Sequence, residues 1–415
     1  MATSVPLVAC KAPVREGTER KCAISLEPQW RLCDDLAQET QFRLRGEITQ
    51  LLAAHPDACL DHEASWLQSK ARTGAGAVRI YVLLDPEERL LGYAPFLVHS
   101  SRLSFSYAGY TLYGYPVSRY SLTSQPLLNG PYDREEIVMA MLSRVRKDLV
   151  GNAVAFGLGV SVDSALGRVI RSAEVRKLFH VMQHGPQYQR RLLRLPQNLD
   201  KYMSLLGSKT RQDLRRQERR LLKETGNDVR LGIYGDPESV SSFLDTVQTV
   251  SQRTYQWNQL GMGIQNREST RVHLENVARK GWLRGYVLYA RGAPVAYMVG
   301  YLYRSTYYSE SIGYDPNWAE WSVGNVLHLH VVRDLMERAT EWFDFMYGDN
   351  SNKERLSSDS RTEGNFYLVP RTYGWTAFVS AHRVFDATTS SMNAVLDHFD
   401  IKGRIRRFLR RRAQR

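Results

Sequence analysis

Three consecutive strand-like runs of apolar and aromatic residues mark the second half of the chain. They lie at residues 282–289, 294–303 and 306–314. In the middle run Val295, Tyr297, Val299, Tyr301 and Tyr303 fall on one face and the residues between them on the other, which is typical of β-strands. The links Arg291-Gly292 and Arg304-Ser305 have the length of hairpin turns. The pattern therefore predicts a three-stranded antiparallel meander.

The period of the apolar positions changes from two to about 3.6 directly after this meander. Leu327, Val331 and Leu335 recur at four-residue spacing, which predicts a helix over about 323–340 with one apolar stripe. The short apolar run 342–345 follows and predicts a buried strand. The expected order is thus a meander, a crossover helix and a further strand.

The start of the predicted helix is a candidate anion site. Ser322 stands where an N-cap side chain accepts from free backbone N–H groups, and Gly324 keeps bulk out of the first turn. Such amides and the helix dipole attract a phosphate without a basic side chain. We predict that Ser322, Val323, Gly324 and Asn325 bind a cofactor pyrophosphate. The alternative is an ordinary capped helix.

The first half has a similar order of predicted elements without an obvious sequence repeat. Apolar spacing predicts helices at 30–52 and 135–150 and strands at 78–84, 90–98 and 154–160. Tyrosines crowd the segment between these strands, at Tyr107, Tyr110, Tyr113, Tyr115 and Tyr120. Each either packs in the sheet or stacks on a sugar or nucleotide.

The most basic folded segment is 205–223. Arg211, Arg215 and Arg219 form one row at four-residue spacing on a predicted helix, where like charges repel. Such a row either points to water, with acidic neighbours relieving the repulsion, or binds an anion. The planar donor fork of arginine suits a phosphate, so Arg211 and Arg215 are candidate substrate-binding residues.

A cluster of polar and aromatic residues follows the predicted helix 238–256. Tyr255, Gln256 and Trp257 precede a glycine loop at 261–263. This loop either covers a substrate or only turns the chain. We predict that the three residues line a substrate site.

Composition limits the partners and the chemistry. The chain has 415 residues, enough for two domains, and its net charge of +13 indicates anionic partners. All four cysteines, the last of which is Cys59, lie near the amino end without a zinc-knuckle spacing, which favours a reduced, cytoplasmic protein. No run reaches the roughly 18 to 20 apolar residues that span a bilayer. GxSxG, HExxH and P-loop signatures are absent, and no metal site is predicted.

Four segments together resemble a known superfamily. They are SKTRQDLRRQERRLL at 208–222, TYQWNQLGMG at 254–263, GYDPNWAEWSVGNVL at 313–327 and FDFMYGDNSNK at 343–353. In order and spacing they resemble GNAT acetyltransferases, more closely the Fem-like branch of tandem-domain acyltransferases, and nearest the BioF2-like or cellulose-biosynthesis (CelD-like) group. The usual pyrophosphate signature, Arg or Gln followed by x-x-Gly-x-Gly or Ala, is reduced here to Gly324. Asn352 precedes Lys353, where relatives have an aromatic residue.

The resemblance implies an α/β (α+β) fold with two tandem GNAT-like domains, each a mixed, mainly antiparallel sheet flanked by helices. The first domain would be a degenerate copy that shapes the acceptor cleft. We expect a disordered arm, two domains and a basic tail, at 1–26, 27–195, 196–384 and 385–415.

The resemblance also implies direct transfer of an acyl group from acetyl-CoA or another acyl-CoA to an amine or hydroxyl. The expected acceptor is a sugar, a surface-polysaccharide precursor or an amino compound. Direct transfer needs a base and a group that stabilises charge on the carbonyl oxygen. Glu310 and Asp349 are the candidate bases. Lys353 is the candidate for charge stabilisation, as the matching lysine is in Fem-like relatives. The alternative for Glu310 is an exposed carboxylate on an edge strand, and the alternative for Lys353 is a loop charge in solvent.

Two other functions remain open. One is a Fem-like ligase that uses aminoacyl-tRNA, with the basic helix holding RNA. The other is a non-catalytic accessory protein of polysaccharide synthesis. The segment 401–415 has eight basic and no acidic residues. It predicts a contact with the anionic inner membrane surface, with a disordered tail or a nucleic-acid contact as alternatives.

Overall fold

Fourteen β-strands form one sheet in the described part of the chain. The computed structural model describes residues 29–33, 39–73, 76–107, 110–130, 133–254 and 264–398. The strands are β1 (Gln29–Cys33), β2 (Ala77–Leu84), β3 (Leu90–Tyr107), β4 (Tyr110–Leu122), β5 (Leu127–Leu128), β6 (Ala153–Ser161), β7 (Phe179–Gln183), β8 (Tyr188–Arg194), β9 (Val229–Tyr234), β10 (Gly285–Ala290), β11 (Ala293–Tyr303), β12 (Thr306–Tyr314), β13 (Trp342–Asp344) and β14 (Asp359–Pro370).

Helices cover both faces of this sheet. They are α1 (Glu39–Ala54), α2 (Ala64–Thr73), α3 (Arg134–Asp148), α4 (Ala165–Arg171), α5 (Ala173–Leu178), α6 (Leu199–Leu205), α7 (Ser208–Thr225), α8 (Val240–Ser251), α9 (Glu268–Arg279), α10 (Val323–Glu337), α11 (Ser351–Leu356) and α12 (Tyr373–His398). Short 3-10 turns at Leu60–His62, Pro237–Ser239 and Pro316–Trp321 precede α2, α8 and α10.

The strand order shows two similar halves. The strands lie in the order β1-β2-β3-β4-β6-β14-β8-β13-β12-β11-β10-β9, with β5 beside β3 and β7 beside β14. In the first half β1 to β4 are antiparallel, and β6 lies parallel to β4 after α3. In the second half β9 to β12 are antiparallel, and β13 lies parallel to β12 after α10. The predicted α/β fold with two tandem units of this kind is confirmed.

The two halves exchange strands at the centre of the sheet. β8 precedes the second half in sequence and pairs antiparallel with β13, whereas β14 follows the second half and pairs antiparallel with β6. β8 and β14 also pair with each other, which makes the sheet continuous. The helix α12 runs through residue 384 and packs against the first half, where Trp375 and Val379 join Leu103 and Val117. The division at residues 195 and 384 therefore stays a prediction.

Hydrophobic cores explain why the helices of the second half form where they do. The apolar stripe of α10 is fully buried with Leu214 and Leu221 of α7 on one face of the sheet. Leu244 of α8 and Leu274 of α9 pack with Trp66 of α2 on the opposite face. Full burial of one such side chain stabilises the fold by about 1.5–3 kcal/mol.

Two helix predictions need correction. Residues 29–33 form β1 rather than the start of a helix, because Trp30 is buried in the sheet and its indole N–H donates to the Ile137 carbonyl oxygen (3.0 Å). α10 ends at Glu337 rather than near 340, because Ala339 adopts a left-handed φ of 55°.

Candidate active site

The parallel strands β12 and β13 separate at one end of the sheet. Thr306–Tyr308 pair with Trp342–Asp344, after which β13 ends while β12 continues to Tyr314. Strands that part at their carboxyl ends leave a cleft, and ligands of α/β proteins gather at such strand ends. α10 begins at the same end of the sheet, shortly after β12. These three elements define the candidate site.

The first turn of α10 has backbone N–H groups that the Ser322 side chain does not cap. Ser322 has a left-handed conformation (φ 53°, ψ 41°), and its side chain caps no N–H group. The predicted Ser322 cap is therefore wrong, because N-cap side chains accept from the helix when the backbone is extended. Over the residues that the structure describes, the N–H groups of Val323 and Gly324 have no backbone acceptor. A methyl group placed on Gly324 would have the Tyr314 ring as its nearest neighbour, at 3.5 Å.

Two side chains of α7 reach this turn. Gln217 Oε1 accepts from Asn325 Nδ2 (3.1 Å). The guanidinium of Arg220 donates to the carbonyl oxygen and the carboxylate of Glu320. α7 therefore fixes the position of the open amides, through two residues that were not among our predicted site residues.

The predicted substrate residues of α7 lie nearer its start. Arg211 Nη1 is 3.5 Å from the Met203 carbonyl oxygen, and Arg215 is exposed. Glu218 pairs with Arg333 of α10 (2.6 and 3.1 Å) and not with the arginine row of its own helix. The acidic neighbours therefore offset less of the positive charge of this arginine row than the sequence suggested.

The equivalent helix of the first half begins differently. Asp133 caps α3, because its carboxylate accepts from the N–H groups of Glu135 (2.8 Å) and Glu136 (3.2 Å). Two further carboxylates, those of Glu135 and Glu136, lie in the first turn. Three carboxylates repel a phosphate, so an anion site of this kind fits the second half and not the first.

Lys353 and Asp349 lie together after the end of β13. Lys353 Nζ donates to the carbonyl oxygens of Phe345 (2.8 Å), Tyr347 (2.7 Å) and Gly348 (3.1 Å). Burial lowers its pKa below the ordinary lysine value. Asp349 accepts two hydrogen bonds from Arg191, each 3.0 Å, which hold the pKa of that carboxyl below its usual range.

Glu310 lies on the β12 side of the cleft, at a β-bulge. Val299 pairs with Ser311 and Gly300 with Ser309, so Glu310 is the extra residue. A bulge redirects the side chain of the extra residue. Glu310 is exposed, and burial together with the charge of Glu310 raises the pKa of the Tyr301 hydroxyl. The Glu310 carboxylate is therefore accessible and near this hydroxyl.

A cluster of buried charged residues lies beneath the cleft, and the sequence did not predict it. Arg190 of β8 donates to both oxygens of Asp344, and its Nη1 lies 3.6 Å from Glu363 of β14. Burial opposes the charge of Arg190, yet these two carboxylates raise its pKa well above the usual value. Tyr188 donates to Glu363 (3.1 Å). Because these residues lie far apart in sequence, no local pattern connects them.

The Cys59 thiol is a poor nucleophile. Its Sγ lies 3.3 Å from His62 Nδ1, which resembles a catalytic pair. The same nitrogen, however, accepts from the Cys59 backbone N–H (3.0 Å), and burial raises the pKa of the thiol to about 12.

Several predicted features lie outside the described residues. They are the arm 1–26, the tail segment 401–415, and Tyr255, Gln256 and Trp257. Across the described ranges, no helix is long and apolar enough to cross a membrane. Nor do three or more His, Cys, Asp or Glu side chains come together there as metal ligands.

Comparison with known proteins finds a family match in the second half of the chain. The acetyltransferase (GNAT) domain family matches residues 208–354. The fold is similar to that of FemX, with a TM-score of 0.55 and 11% identity, over 78% of this chain and 95% of that chain. A tandem GNAT protein from the clavulanic acid biosynthesis pathway gives a TM-score of 0.47 and 10% identity, over 82% of this chain and 98% of that chain. No curated protein matches the sequence.

The matched residues include α7, the strands β12 and β13, the open turn of α10 and Lys353. The cleft and its surroundings thus belong to the matched region. The family match over residues 208–354 supports an acyltransferase activity for this part of the chain.

Proposed function

We propose that the acyl donor is acetyl-CoA or another acyl-CoA, bound by its pyrophosphate at the first turn of α10. The observation that carries the proposal is the pair of amides at Val323 and Gly324 beside the cleft, which have no backbone acceptor among the described residues. Aligned amides at a helix start bind phosphate oxygens. Tyr314 and Gln217 border the turn and provide an aromatic face and an amide for the rest of the cofactor.

The reaction that fits this site is direct transfer. Glu310 takes the proton from an acceptor amine or hydroxyl, and the freed nitrogen or oxygen bonds to the thioester carbonyl carbon. The carbon–sulfur bond then breaks, and the coenzyme A thiolate leaves and takes up a proton. Asp349 is the weaker candidate base, because Arg191 already engages both of its oxygens.

Lys353 acts on this site through the backbone. Its ammonium group donates to three carbonyl oxygens of the segment 345–348, so its hydrogen atoms are engaged. We propose that it holds this segment in place beside the acyl group, instead of contacting the carbonyl oxygen itself.

The acceptor that we propose is a sugar, a surface-polysaccharide precursor or an amino compound. We place the protein in the cytoplasm, with 401–415 as a contact for the anionic inner membrane surface. The competing function is transfer from aminoacyl-tRNA. The exposed Arg215 favours it, because no carboxylate pairs with this residue in the described structure.

Calorimetric titration of the full-length protein with acetyl-CoA tests the donor. Gly324→Asp adds a carboxylate at the open amides, where it favours the helix start but repels a pyrophosphate. Gly324→Asn is the control of the same shape without the charge. We expect the aspartate variant to bind at least about tenfold more weakly than the asparagine variant, with a melting temperature that is no lower.

Two outcomes would contradict the proposal. One is an unmodified protein that does not bind acetyl-CoA, and the other is equal binding by both variants. Salt-sensitive tRNA binding that is lost in Arg215→Ala would favour the competing function.

A further inference from the structure

An open pocket of about 790 Å³ adjoins the cleft at the carboxyl end of β13. Its walls are the segment Tyr347–Asp349, the turn before β8, and β14. The pocket therefore lies where the two halves exchange strands. Its volume is within the range of about 300–1,000 Å³ that small-molecule sites occupy.

The wall of this pocket has no basic side chain, although the chain as a whole has a net charge of +13. Among the described residues that line it, none is a lysine or an arginine. The one carboxylate, that of Asp349, is engaged by Arg191. Burial and the charge of Arg119 lower the pKa of His184, which keeps its imidazole neutral at pH 7. This chemistry does not suit an anion.

Amide side chains supply the polar groups of the pocket. Gln189 Nε2 donates to Thr362 Oγ1 (2.9 Å), which leaves the Gln189 carbonyl oxygen available. Asn365 Oδ1 accepts from the Gly159 N–H (2.8 Å), which leaves the Asn365 amino group available. Gln187 is exposed at the mouth. Neutral donors and acceptors of this kind match hydroxyl and amide groups.

Aromatic rings form the inner wall. The rings of Tyr188 and Tyr347 meet edge to face, with centroids 6.5 Å apart. A methyl group placed on Gly159 would lie 3.0 Å from the Tyr347 ring, so the glycine allows the ring to lie there. Aromatic rings combine a flat apolar face with a polar edge, which suits a ligand whose faces are apolar and whose rim bears hydroxyls.

We propose that this pocket binds the acyl acceptor and that the acceptor is a neutral carbohydrate. The proposal rests on the proposed function, because it names the second substrate of the same cleft. Tyr188 packs on one face of a sugar ring, while Gln187, Gln189 and Asn365 bond to its hydroxyl or acetamido groups. The pyrophosphate of the donor and the neutral acceptor are thereby recognised at separate places.

Calorimetric titration of the full-length protein tests the pocket with three probes. Cellotetraose and N,N′,N″,N‴-tetraacetylchitotetraose are neutral, and tetragalacturonic acid is anionic. We expect at least one neutral probe to bind, and to bind at least fivefold more tightly than the anionic one. Tyr188→Ala and Gln187→Ala should weaken this binding by roughly five- to tenfold each.

Two further variants separate binding from folding. Tyr188→Phe keeps the ring and removes its hydrogen bond to Glu363, so affinity for the sugar should stay within about twofold of the original. Gln68→Ala removes an exposed amide from α2, outside the pocket, and should leave affinity unchanged. The proposal is wrong if neither neutral probe binds, if the anionic probe binds best, or if Tyr188→Ala and Gln187→Ala bind like the original protein. Acetyl-CoA titration of the same samples tests the donor separately.

Discussion

Arg190 of β8 donates from Nε and Nη2 to the Asp344 carboxylate of β13, at 2.7–3.0 Å, with both side chains almost fully buried. This pair joins a strand that precedes the second half to the strand that ends at the cleft. Glu363 of β14, also buried, adds a second carboxylate beside the same guanidinium. The ion cluster therefore fixes the strand exchange at the base of the active site.

Arg190→Met should lower the free energy of unfolding by about 3–5 kcal/mol. The substitution leaves the Asp344 carboxylate buried without its arginine, which costs far more than the loss of an exposed pair. Arg191→Met is the matched control, because its partner Asp349 is partly exposed, and it should cost about 1 kcal/mol or less. Urea unfolding followed by circular dichroism measures both. Equal losses in the two variants would contradict the structural role of Arg190.

The sequence predicts features that depend on neighbours in the chain. The meander and α10 follow from periods of two and about 3.6, and the turn at Arg291 and Gly292 has the left-handed φ values of 51° and 72° expected of a tight hairpin. Both agree with the structure because buried faces determine them locally.

The features that the sequence did not predict depend on distant residues. Arg190 and Asp344 are 154 positions apart, and their contact exists because β8 and β13 pair. The bulge at Glu310 is a mismatch of register between two strands, which residue types alone do not reveal. The Ser322 cap failed because the preceding 3-10 turn leaves this residue in a left-handed conformation.

Lys353→Ala should lower turnover and also reduce stability by about 1.5–3 kcal/mol. The loss of stability is expected because the ammonium group binds three carbonyl oxygens of the segment 345–348. Lys280→Ala, which removes an exposed lysine at the end of α9, is the control for lost charge. Thermal unfolding and a thiol-release assay measure the two effects. A variant with low turnover and an unchanged melting temperature would indicate instead that Lys353 contacts the carbonyl oxygen of the acyl group directly.

Glu310→Gln should reduce turnover by about 10²–10⁴-fold while acetyl-CoA affinity is retained, because the amide cannot accept the acceptor proton. Tyr301→Phe should cause a smaller loss, since it removes a hydroxyl that interacts with the carboxylate but leaves the base in place. Glu337→Gln, at the exposed end of α10, is the control for the same substitution elsewhere. Thiol release from acetyl-CoA measures all three. Full activity of Glu310→Gln would exclude this residue as the base.

Stability should fall between pH 6.5 and about pH 4 because of His328. This residue lies in the core beside Tyr202, whose hydroxyl is 3.1 Å from Nε2, and burial lowers the imidazole pKa from 6.5 to about 4. In that interval the unfolded chain binds a proton that the folded chain excludes, so the free energy of unfolding decreases by up to about 3 kcal/mol. Below about pH 4 both states are protonated and the contribution levels off.

Urea unfolding at pH 7.5, 5.5 and 4.5 measures the slope of the free energy of unfolding against pH, which should be smaller in His328→Gln. Part of the remaining slope is expected from His273, whose pKa burial also lowers to about 4, so His273→Gln should reduce it further. A slope unchanged in His328→Gln would show that this histidine already carries a proton in the folded core.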